Sequence, residues 1–353
     1  MRRVAPHVRV AAFVGRDASE ALFEQPWSDG VEWVRLPVRT SQRTHLLGQL
    51  VAMPAIAIRK SLDVLHSPAN VGPPLAPGIA RVVTLLDVIW LHQREGWDAT
   101  RAGRAMAALS RSSATHADRV IAISDAARDD IVASLELDAS RVDVTPLGVL
   151  PPSGALSRNP AGLRSRFGLD GRQVVLCVAQ KRPYKNLGSL VRAIAELPQA
   201  VLVLAGAPTP HEAELEALAS ELGASERVRF LGWVPEDELE SLYRLASCFC
   251  LPSLIEGFGL PVLEAMARNV PVACSDRTAM AEVAGDAALL FDPEDQEAVT
   301  TAVRRLLDDR ELAARLVERG HARVALYTWE RTAEATLESY RRAVAQKTTK
   351  RSV

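Results

Sequence analysis

The sequence carries almost no excess charge of either sign, which argues against one large class of partners. Its 353 residues have a formal net charge of −1 at pH 7 and a pI near 6.7. A nucleic-acid-binding surface needs a clear excess of Lys and Arg, so we expect no nucleic-acid partner.

Cysteine is also scarce, and its positions argue against a metal site. The four cysteines, at positions 177, 248, 250 and 274, all lie in apolar runs typical of strands. No histidine cluster accompanies them, so we expect them to pack in a core as free thiols. The pattern predicts a reduced, cytoplasmic protein.

Long hydrophobic runs that would cross a membrane are missing too. The basic start Met1-Arg2-Arg3 is not followed by the apolar segment of a signal peptide. Residues 46–58 are apolar, but the run is too short to span a bilayer and contains Pro54. We expect this segment to form a core helix rather than a membrane-surface element.

What is present is an ordinary globular composition with a strong strand pattern. A chain longer than about 250–300 residues is expected to split into two cores. Short apolar runs alternate with helix-like segments, which predicts parallel strands covered by helices on both faces. Two sets of about six such runs indicate two doubly wound α/β domains. The predicted strands are 8–14, 31–36, 63–67, 80–86, 119–123, 142–145, 174–179, 200–205, 228–231, 248–251, 271–274 and 288–291.

The boundary between the two predicted domains lies in a segment rich in Pro, Gly and Ser. Residues 146–163, PLGVLPPSGALSRNPAGL, have this composition and predict a linker. We therefore divide the chain into a first domain over residues 1–158 and a second over residues 159–327. Residues 346–353 are polar, and we expect a disordered tail there.

The segment 252–266, PSLIEGFGLPVLEAM, combines two carboxylates with two glycines after a predicted strand. Ligands of open α/β sheets bind beyond the carboxyl ends of strands. Gly257 and Gly259 precede a predicted helix, whose free N–H groups attract an anion such as a phosphate. Glu256 and Glu264 would repel an anion unless they accept hydrogen bonds from neutral groups, and sugar hydroxyls are suitable donors. A nucleotide-sugar satisfies the whole arrangement.

The same segment resembles the E-x7-E signature of the retaining glycosyltransferases of family 4, which have the GT-B fold. The resemblance extends over about residues 115–345 and includes VAQKRPYKNLGSLVRAIAEL and AEVAGDAALLFDPED. It implies two Rossmann-like, doubly wound domains facing a cleft, with a helix at 328–345 that packs back on the first. It also implies that Glu256 contacts the transferred sugar and Glu264 the ribose hydroxyls. The amides of Gly257, Phe258, Gly259 and Leu260 would hold the diphosphate.

A basic loop follows the first predicted strand of the second domain. Lys181, Arg182 and Lys185 would lie where a departing nucleoside diphosphate develops negative charge, and fixed cations lower that barrier. The family uses an Arg and a Lys for this task. Lys185 fits the Lys, and Arg182 is our choice for the Arg, with Lys181 as the alternative.

The first domain departs from the family pattern in two places. In VVTLLDVIW (82–90) the family's His is replaced by Leu86, although Asp87 remains, and we place Asp87 and His66 on the acceptor side. The chain also begins near the family's second strand, without the usual first strand and Gly-rich loop. Two neighbouring strands would then each keep an unpaired edge, and we expect weak transfer with donor binding retained.

The resemblance implies a retaining, metal-independent hexosyl transfer from a nucleotide-diphosphate sugar, with GDP-mannose favoured. The acceptor would be a hydroxyl of a glycan or of a lipid-linked glycan, as in polysaccharide biosynthesis. No Asp-x-Asp pair stands out, and we expect no metal and no other cofactor. Peripheral contact with the inner face of the membrane stays open. Two alternatives also stay open: a non-catalytic nucleotide-sugar-binding scaffold, and another GT-B enzyme such as a sugar-nucleotide epimerase.

Overall fold

The chain forms two compact units in a computed structural model that describes residues 5–18, 20–25, 28–39, 42–92, 100–152 and 160–351. The first unit comprises Met1–Pro146 and Glu330–Val353, and the second comprises Leu147–Trp329. The predicted domain boundary at residues 158 and 159 falls within 153–159, which lie outside the described residues.

The described residues of the first unit form two separate parallel sheets. Strand β1 (Ala11–Val14) pairs with β2 (Glu32–Arg35), and Ala11 lies opposite Glu32. The other sheet has the order β3-β4-β5-β6. Its strands are β3 (Val64–Ser67), β4 (Ala80–Leu85), β5 (Arg119–Ala122) and β6 (Val142–Val144).

Helices of the first unit cover these sheets. Residues 46–58, predicted as a core helix, lie in a helical segment made of α1 (Gln42–Leu47), one π-helical turn (Gly48–Ala52) and α2 (Met53–Arg59). The helices that start at Arg101 and Asp125 each begin with a capping hydroxyl: the Thr100 hydroxyl accepts from the Gly103 N–H, and the Ser124 hydroxyl accepts from the Ala127 N–H. The remaining helices of this part are α3 (Ile89–His92), α4 (Arg101–His116) and α5 (Asp125–Leu135).

The last helix of the chain packs on the β3–β6 sheet, within the first unit. Helix α14 spans Trp329–Arg351, and its Ala343 lies in a cluster with Ala80, Val82 and Ile121. The Ser339 hydroxyl donates to Asp143 over 2.7 Å. The structure differs from the predicted disordered tail at 346–353, because the helix continues to Arg351. Lys347 supports this extension by an ion pair of 3.5 Å with Asp118.

The second unit is a single six-stranded parallel sheet in the order β12-β11-β10-β7-β8-β9. Several of its strands are buried along their whole length, as their continuous apolar runs predict. The order reverses between β7 and β10, so the carboxyl ends of these two strands flank the topological switch point. The strands are β7 (Gln173–Val178), β8 (Ala200–Ala205), β9 (Val228–Leu231), β10 (Cys248–Leu251), β11 (Val272–Ser275) and β12 (Ala288–Phe291).

Helices and buried thiols complete this unit. All four cysteines are free and buried, as predicted, and burial raises the pKa of Cys177 and Cys248 to about 12. The helices are α6 (Pro160–Arg166), α7 (Leu187–Ala195), α8 (Glu212–Glu221), α9 (Glu236–Leu245), α10 (Leu260–Ala267), α11 (Ala279–Ala284), α12 (Gln296–Asp308) and α13 (Arg310–Val324).

The predicted α/β class with parallel sheets is confirmed. Every predicted strand is present, with its ends shifted by at most a few residues. Within the described ranges, no helix is both long and apolar enough to cross a lipid bilayer.

Candidate active site

Two loops of the second unit meet at the switch point of its sheet. One follows β10 and contains residues 252–259, and the other follows β7 and contains residues 179–186. The Leu254 N–H donates to the Tyr184 carbonyl over 2.9 Å and ties the two loops together. Sequence positions some 70 residues apart therefore form one surface beyond the carboxyl ends of neighbouring strands.

Glu256 lies at the centre of this surface and is held by several groups. Its Oε1 accepts from the Lys185 ammonium over 2.5 Å and from the Ser253 hydroxyl over 2.8 Å. Its N–H donates to the Thr278 hydroxyl over 3.0 Å. The Lys185 and Glu256 side chains are 15% and 10% exposed, so solvent screens their attraction only weakly.

The Gly-rich turn leads from Glu256 into helix α10. Gly259 caps this helix with a φ of 92°, and a Cβ there would come within 2.5 Å of the Met280 Sδ. Glycine is therefore required both for the backbone conformation and for the close approach. Helix α10 begins at Leu260, so Pro261 occupies its second position, where its missing N–H costs no helical hydrogen bond. The chain leaves α10 through Asn269, which has a φ of 61°.

Phe258 lies in the same turn, and its side chain is buried. Its side chain is 3% exposed and packs edge-to-face on Tyr327, with ring centroids 5.7 Å apart. The ring anchors the turn in the core. Free N–H groups at a helix N-terminus attract anions.

Glu264 lies on α10, and one of its oxygens is held by a buried tyrosine. The Tyr243 hydroxyl donates to Glu264 Oε2 over 2.9 Å. Tyr243 is 1% exposed, and its ring stacks on Phe249 at 6.1 Å. Burial, followed by the charge of Glu264, holds the pKa of Tyr243 well above its usual value, so the hydroxyl stays a donor.

The three basic residues of the β7 loop have different environments. Lys185 pairs with Glu256, as described, whereas Arg182 is partly exposed and donates to the Gln180 side chain over 3.0 Å. Lys181 is fully buried, which corrects its predicted place at the ligand surface. Its ammonium donates to the Gly206 carbonyl over 2.5 Å and to the Leu231 carbonyl.

Burial also affects the charge of Lys181. Burial lowers the pKa of the ammonium, and the nearby Glu212 carboxylate, 3.2 Å away, opposes that shift. The side chain joins the ends of β8 and β9 to the loop. Lys181 is therefore part of the core that supports the site.

The candidate acceptor residues lie in the first unit. Both ring nitrogens of His66 are engaged, Nδ1 with the Tyr340 hydroxyl at 2.7 Å and Nε2 with the Thr84 hydroxyl at 2.8 Å. Burial lowers the pKa of His66 to about 4. Asp87 accepts from the Ile89 N–H over 3.1 Å at the start of α3. At the position of the family's His, the Leu86 N–H donates to Asn70.

Sequence reasoning missed three residues that organise the site: Ser253, Thr278 and Tyr243. Ser253 could have been found, because it lies three positions before Glu256 in the same loop. Thr278 and Tyr243 come from other elements, and only the folded chain brings them to the two glutamates.

Within the described residues, no group of three or more His, Cys, Asp or Glu side chains could hold a metal ion.

Two family models match the chain, one over each unit. Residues 163–323 match the model of the glycosyl transferases group 1, and residues 2–148 match the model of the glycosyl transferase 4-like domain. The first match contains Glu256, Lys185 and the Gly-rich turn.

Two curated relatives have similar sequences. O-antigen chain mannosyltransferase B of Escherichia coli is 32% identical over 63% of this chain and 60% of its own length. D-inositol 3-phosphate glycosyltransferase of Salinispora arenicola is 33% identical over 65% of this chain and 56% of its own length. The chain thus spans less than two thirds of either relative.

A solved structure extends the likeness to nearly the whole chain. Sucrose-phosphate synthase from Thermosynechococcus elongatus superimposes with a TM-score of 0.72 at 23% identity, covering 97% of this chain and 90% of that one. The likeness shows a shared fold. A different glycosyl transferase model thus matches most of each unit, and the chain has the GT-B fold.

Proposed function

We propose that the chain transfers a sugar from a nucleoside diphosphate sugar to a hydroxyl of a glycan or lipid-linked glycan, with retention of anomeric configuration. One observation carries the proposal: the Lys185–Glu256 ion pair of 2.5 Å lies beside a Gly-rich helix N-terminus at the switch point of the sheet. A cation, an anion-binding backbone and a fixed carboxylate are the groups that such a donor requires.

The donor diphosphate binds at the N–H groups of residues 257–260 and beside Lys185. In the ligand-free chain the Lys185 charge is neutralised by Glu256. A diphosphate gives the ammonium a second anionic partner, while the sugar hydroxyls donate to Glu256. The carboxylate and the ammonium then contact adjoining parts of one ligand, and neither charge is left unpaired.

Glu264 accepts from the ribose hydroxyls of the same ligand. Tyr243 occupies its Oε2, and Oε1 has no hydrogen-bond donor among the described residues. A ribose hydroxyl can donate to this second oxygen. Because Tyr243 restricts the rotation of the carboxylate, the acceptor oxygen is already oriented before the ligand arrives.

In the transfer step, the bond between the sugar C1 and the diphosphate oxygen breaks while the acceptor oxygen bonds to C1 on the same face. The acceptor hydroxyl passes its proton to an oxygen of the leaving diphosphate. Lys185, Arg182 and the backbone N–H groups stabilise the negative charge that develops on the leaving group. The step uses no metal, since Lys185 and Arg182 supply the positive charge.

GDP-mannose is the first donor to test, because one curated relative is a mannosyltransferase. The other relative is named for an inositol phosphate acceptor, which supports a hydroxyl acceptor without fixing its identity.

A lipid-linked acceptor would bring the chain to a membrane surface, and flotation with vesicles that carry such an acceptor tests that contact.

The test is a transfer assay with GDP-, UDP- and dTDP-sugars and a panel of hydroxyl acceptors, with the anomeric configuration of the product read by NMR. We expect an α-linked product from an α-linked donor and the same rate in EDTA. An inverted product or a metal requirement would contradict the mechanism. Donor binding without transfer would indicate a scaffold, and conversion of the donor without acceptor would indicate an epimerase.

A further inference from the structure

Thr278 has a backbone conformation that is unusual for a β-branched residue. Its φ is 50° and its ψ is −132°, at the start of the short helix α11. Glu136 and Asn186 have similar φ values, but both lie in the left-handed helical region, with ψ values of 43° and 35°. Thr278 lies in the mirror image of the β region instead. Glycine populates this region readily, whereas a residue with a branched Cβ is strained there.

The other end of the same helix shows which residue suits this conformation. Gly285 ends α11 with a φ of 55° and a ψ of −133°, nearly the same angles as those of Thr278. Helix α11 thus has one backbone conformation at both of its ends, with glycine at one end and threonine at the other. A glycine at position 278 would keep the path of the chain and remove the strain. The side chain of Thr278 is therefore retained at a cost in stability.

Helix capping does not account for the Thr278 side chain. A hydroxyl residue before a helix ordinarily accepts from an N–H of the first turn, as Thr100 and Ser124 do in the first unit. Among the described residues of α11, none donates such a bond to Thr278. Its hydroxyl accepts instead from the N–H of Glu256, over 3.0 Å, in the loop after β10. The strained residue therefore directs its hydroxyl to the neighbouring loop rather than to its own helix.

Contacts on both sides of Thr278 hold it in this conformation. Before it, the Arg277 guanidinium donates to Asp292 over 2.9 Å and to Glu294 over 3.1 Å. After it, the Met280 side chain is completely buried. Strained residues persist only where the surrounding structure fixes them, and they concentrate at functional sites. The position of Thr278 beside Glu256 agrees with that tendency.

The bond to Thr278 complements the contacts of the Glu256 side chain. Oε1 of Glu256 accepts from Lys185 and from Ser253, whereas Oε2 accepts from none of the described residues. In the proposed function, a hydroxyl of the transferred sugar donates to this carboxylate, and Oε2 is the oxygen with room for that bond. Lys185 and Ser253 thus hold the carboxylate of Glu256, while Thr278 holds its backbone.

We propose that Thr278 is a positioning residue for sugar transfer, and that its backbone strain is retained for this role. The role rests on the proposed function, in which Glu256 contacts the transferred sugar. By accepting from the Glu256 N–H, the Thr278 hydroxyl fixes the direction in which the Glu256 side chain leaves the loop. A displacement of about 1 Å at such a group is enough to slow a reaction strongly.

Three substitutions in the full chain separate the hydroxyl from the strain. Thr278→Ser keeps the hydroxyl, Thr278→Ala removes the hydroxyl but keeps Cβ, and Thr278→Gly removes both. We expect kcat to fall at least about tenfold in the Ala and Gly variants and to stay within about twofold in the Ser variant. The affinity for GDP and UDP, measured by isothermal titration, should stay unchanged, because neither ligand carries the sugar that Glu256 contacts. Thr301→Ala, on α12, is the matched control and should keep the wild-type kcat.

Two further measurements give results that a merely structural role would not produce. Thr278→Gly is expected to melt at least about 2 °C above Thr278→Ala, because it relieves the strain, although both variants transfer equally slowly. A structural role would instead make kcat rise with stability. Amide hydrogen exchange by NMR reports the bond itself: the Glu256 amide should exchange at least about tenfold faster in the Ala and Gly variants than in the wild type and the Ser variant.

The results that would overturn this role can be told apart from a failure of the proposed function. A wild type that transfers sugar, with a Thr278→Ala variant of equal kcat, would refute the role of Thr278 and leave the proposed function standing. Melting of Thr278→Gly below Thr278→Ala would show that the conformation is not strained. Equal exchange of the Glu256 amide in all four proteins would show that the hydroxyl does not hold it. A wild type that transfers no sugar from any donor would overturn the proposed function, and this role with it.

Discussion

Lys185 and Glu256 form an ion pair of 2.5 Å between loops that follow two neighbouring strands of one sheet. Both side chains are largely shielded, and Ser253 donates to the same carboxylate oxygen. The pair holds a cation and an anion beside the Gly-rich turn that begins α10. We expect the diphosphate of a bound donor to contact the cation and its sugar to contact the anion.

Glu256→Ala is expected to reduce transfer at least a hundredfold while the chain remains folded. The substitution removes the contact to the reacting sugar and leaves Lys185 without its carboxylate. Steady-state kinetics and thermal unfolding measure the two effects. Glu216→Ala, at an exposed position on α8, is the matched control and should keep the wild-type rate. A Glu256→Ala variant with half the wild-type rate would show that the sugar binds elsewhere.

Lys185→Ala is expected to raise the transfer barrier by about 2–4 kcal/mol, the effect of losing one preorganised charge. The loss should appear in kcat, because the charge develops on the leaving diphosphate. Arg182→Ala should lower kcat in the same range if Arg182 is the second cation. A full rate for Arg182→Ala would leave Lys185 as the cation of this loop and refute the assignment of Arg182.

Lys181→Met is expected to act on folding rather than on catalysis. The substitution keeps a long side chain but leaves the Gly206 and Leu231 carbonyls and Glu212 without their donor, which costs about 3 kcal/mol in the free energy of unfolding. Urea unfolding measures this loss, and kcat per folded molecule should stay unchanged. A large fall in kcat at wild-type stability would show that Lys181 contacts the bound donor.

Tyr243→Phe should weaken donor binding and leave kcat nearly unchanged. The variant keeps the aromatic packing and removes the hydrogen bond that orients Glu264, a loss of about 1 kcal/mol or roughly fivefold in affinity. Glu264→Ala should weaken binding of the nucleoside diphosphate further. Isothermal titration with GDP and UDP measures both. A loss of kcat with unchanged affinity would contradict the ribose assignment.

The His66 environment predicts a specific pH dependence of stability. Burial lowers the pKa of His66 to about 4, so the folded chain binds fewer protons than the unfolded chain between about pH 4 and 6.5. The neutral ring is therefore favourable above about pH 6.5, and its contribution is lost as the pH falls toward 4.

The test compares wild type with His66→Gln at pH 7 and pH 5 by thermal unfolding. The wild type should lose up to about 2 kcal/mol more than the variant between these values. Parallel losses in the two proteins would show that His66 is not titrated by unfolding in this range.

The sheets were predictable because short apolar runs that alternate with helix-like segments are typical of strands buried on both faces. The loop at 252–260 was predictable for a related reason, since its two glycines and Glu256 follow such a strand directly. The environment of Lys181 was not predictable. Three basic residues within five positions look alike in sequence, and only the backbone carbonyls of β8 and β9 decide which one turns inward.

Contacts between residues far apart in the sequence were also not predictable. Thr278 comes to Glu256 because β10 and β11 are neighbours in the sheet, and Tyr243 comes to Glu264 because α9 precedes the strand beside which α10 packs. Neither pair has a fixed spacing that a local pattern could report. The sequence thus pointed to candidate residues with reactive groups, and the fold showed which other residues contact them.

Thermal unfolding with nucleotide-sugars tests most directly whether the Lys185–Glu256 site of the second unit binds a nucleoside diphosphate sugar. For the matching donor at 100 times its Kd, we expect a stabilisation of about 2.7 kcal/mol in the wild type. Lys185→Ala should show a much smaller stabilisation at equal donor concentration, because it lacks the cation that pairs with the diphosphate. If no GDP-, UDP- or dTDP-sugar stabilises the wild type, or if the variant is stabilised equally, the donor does not bind at this ion pair.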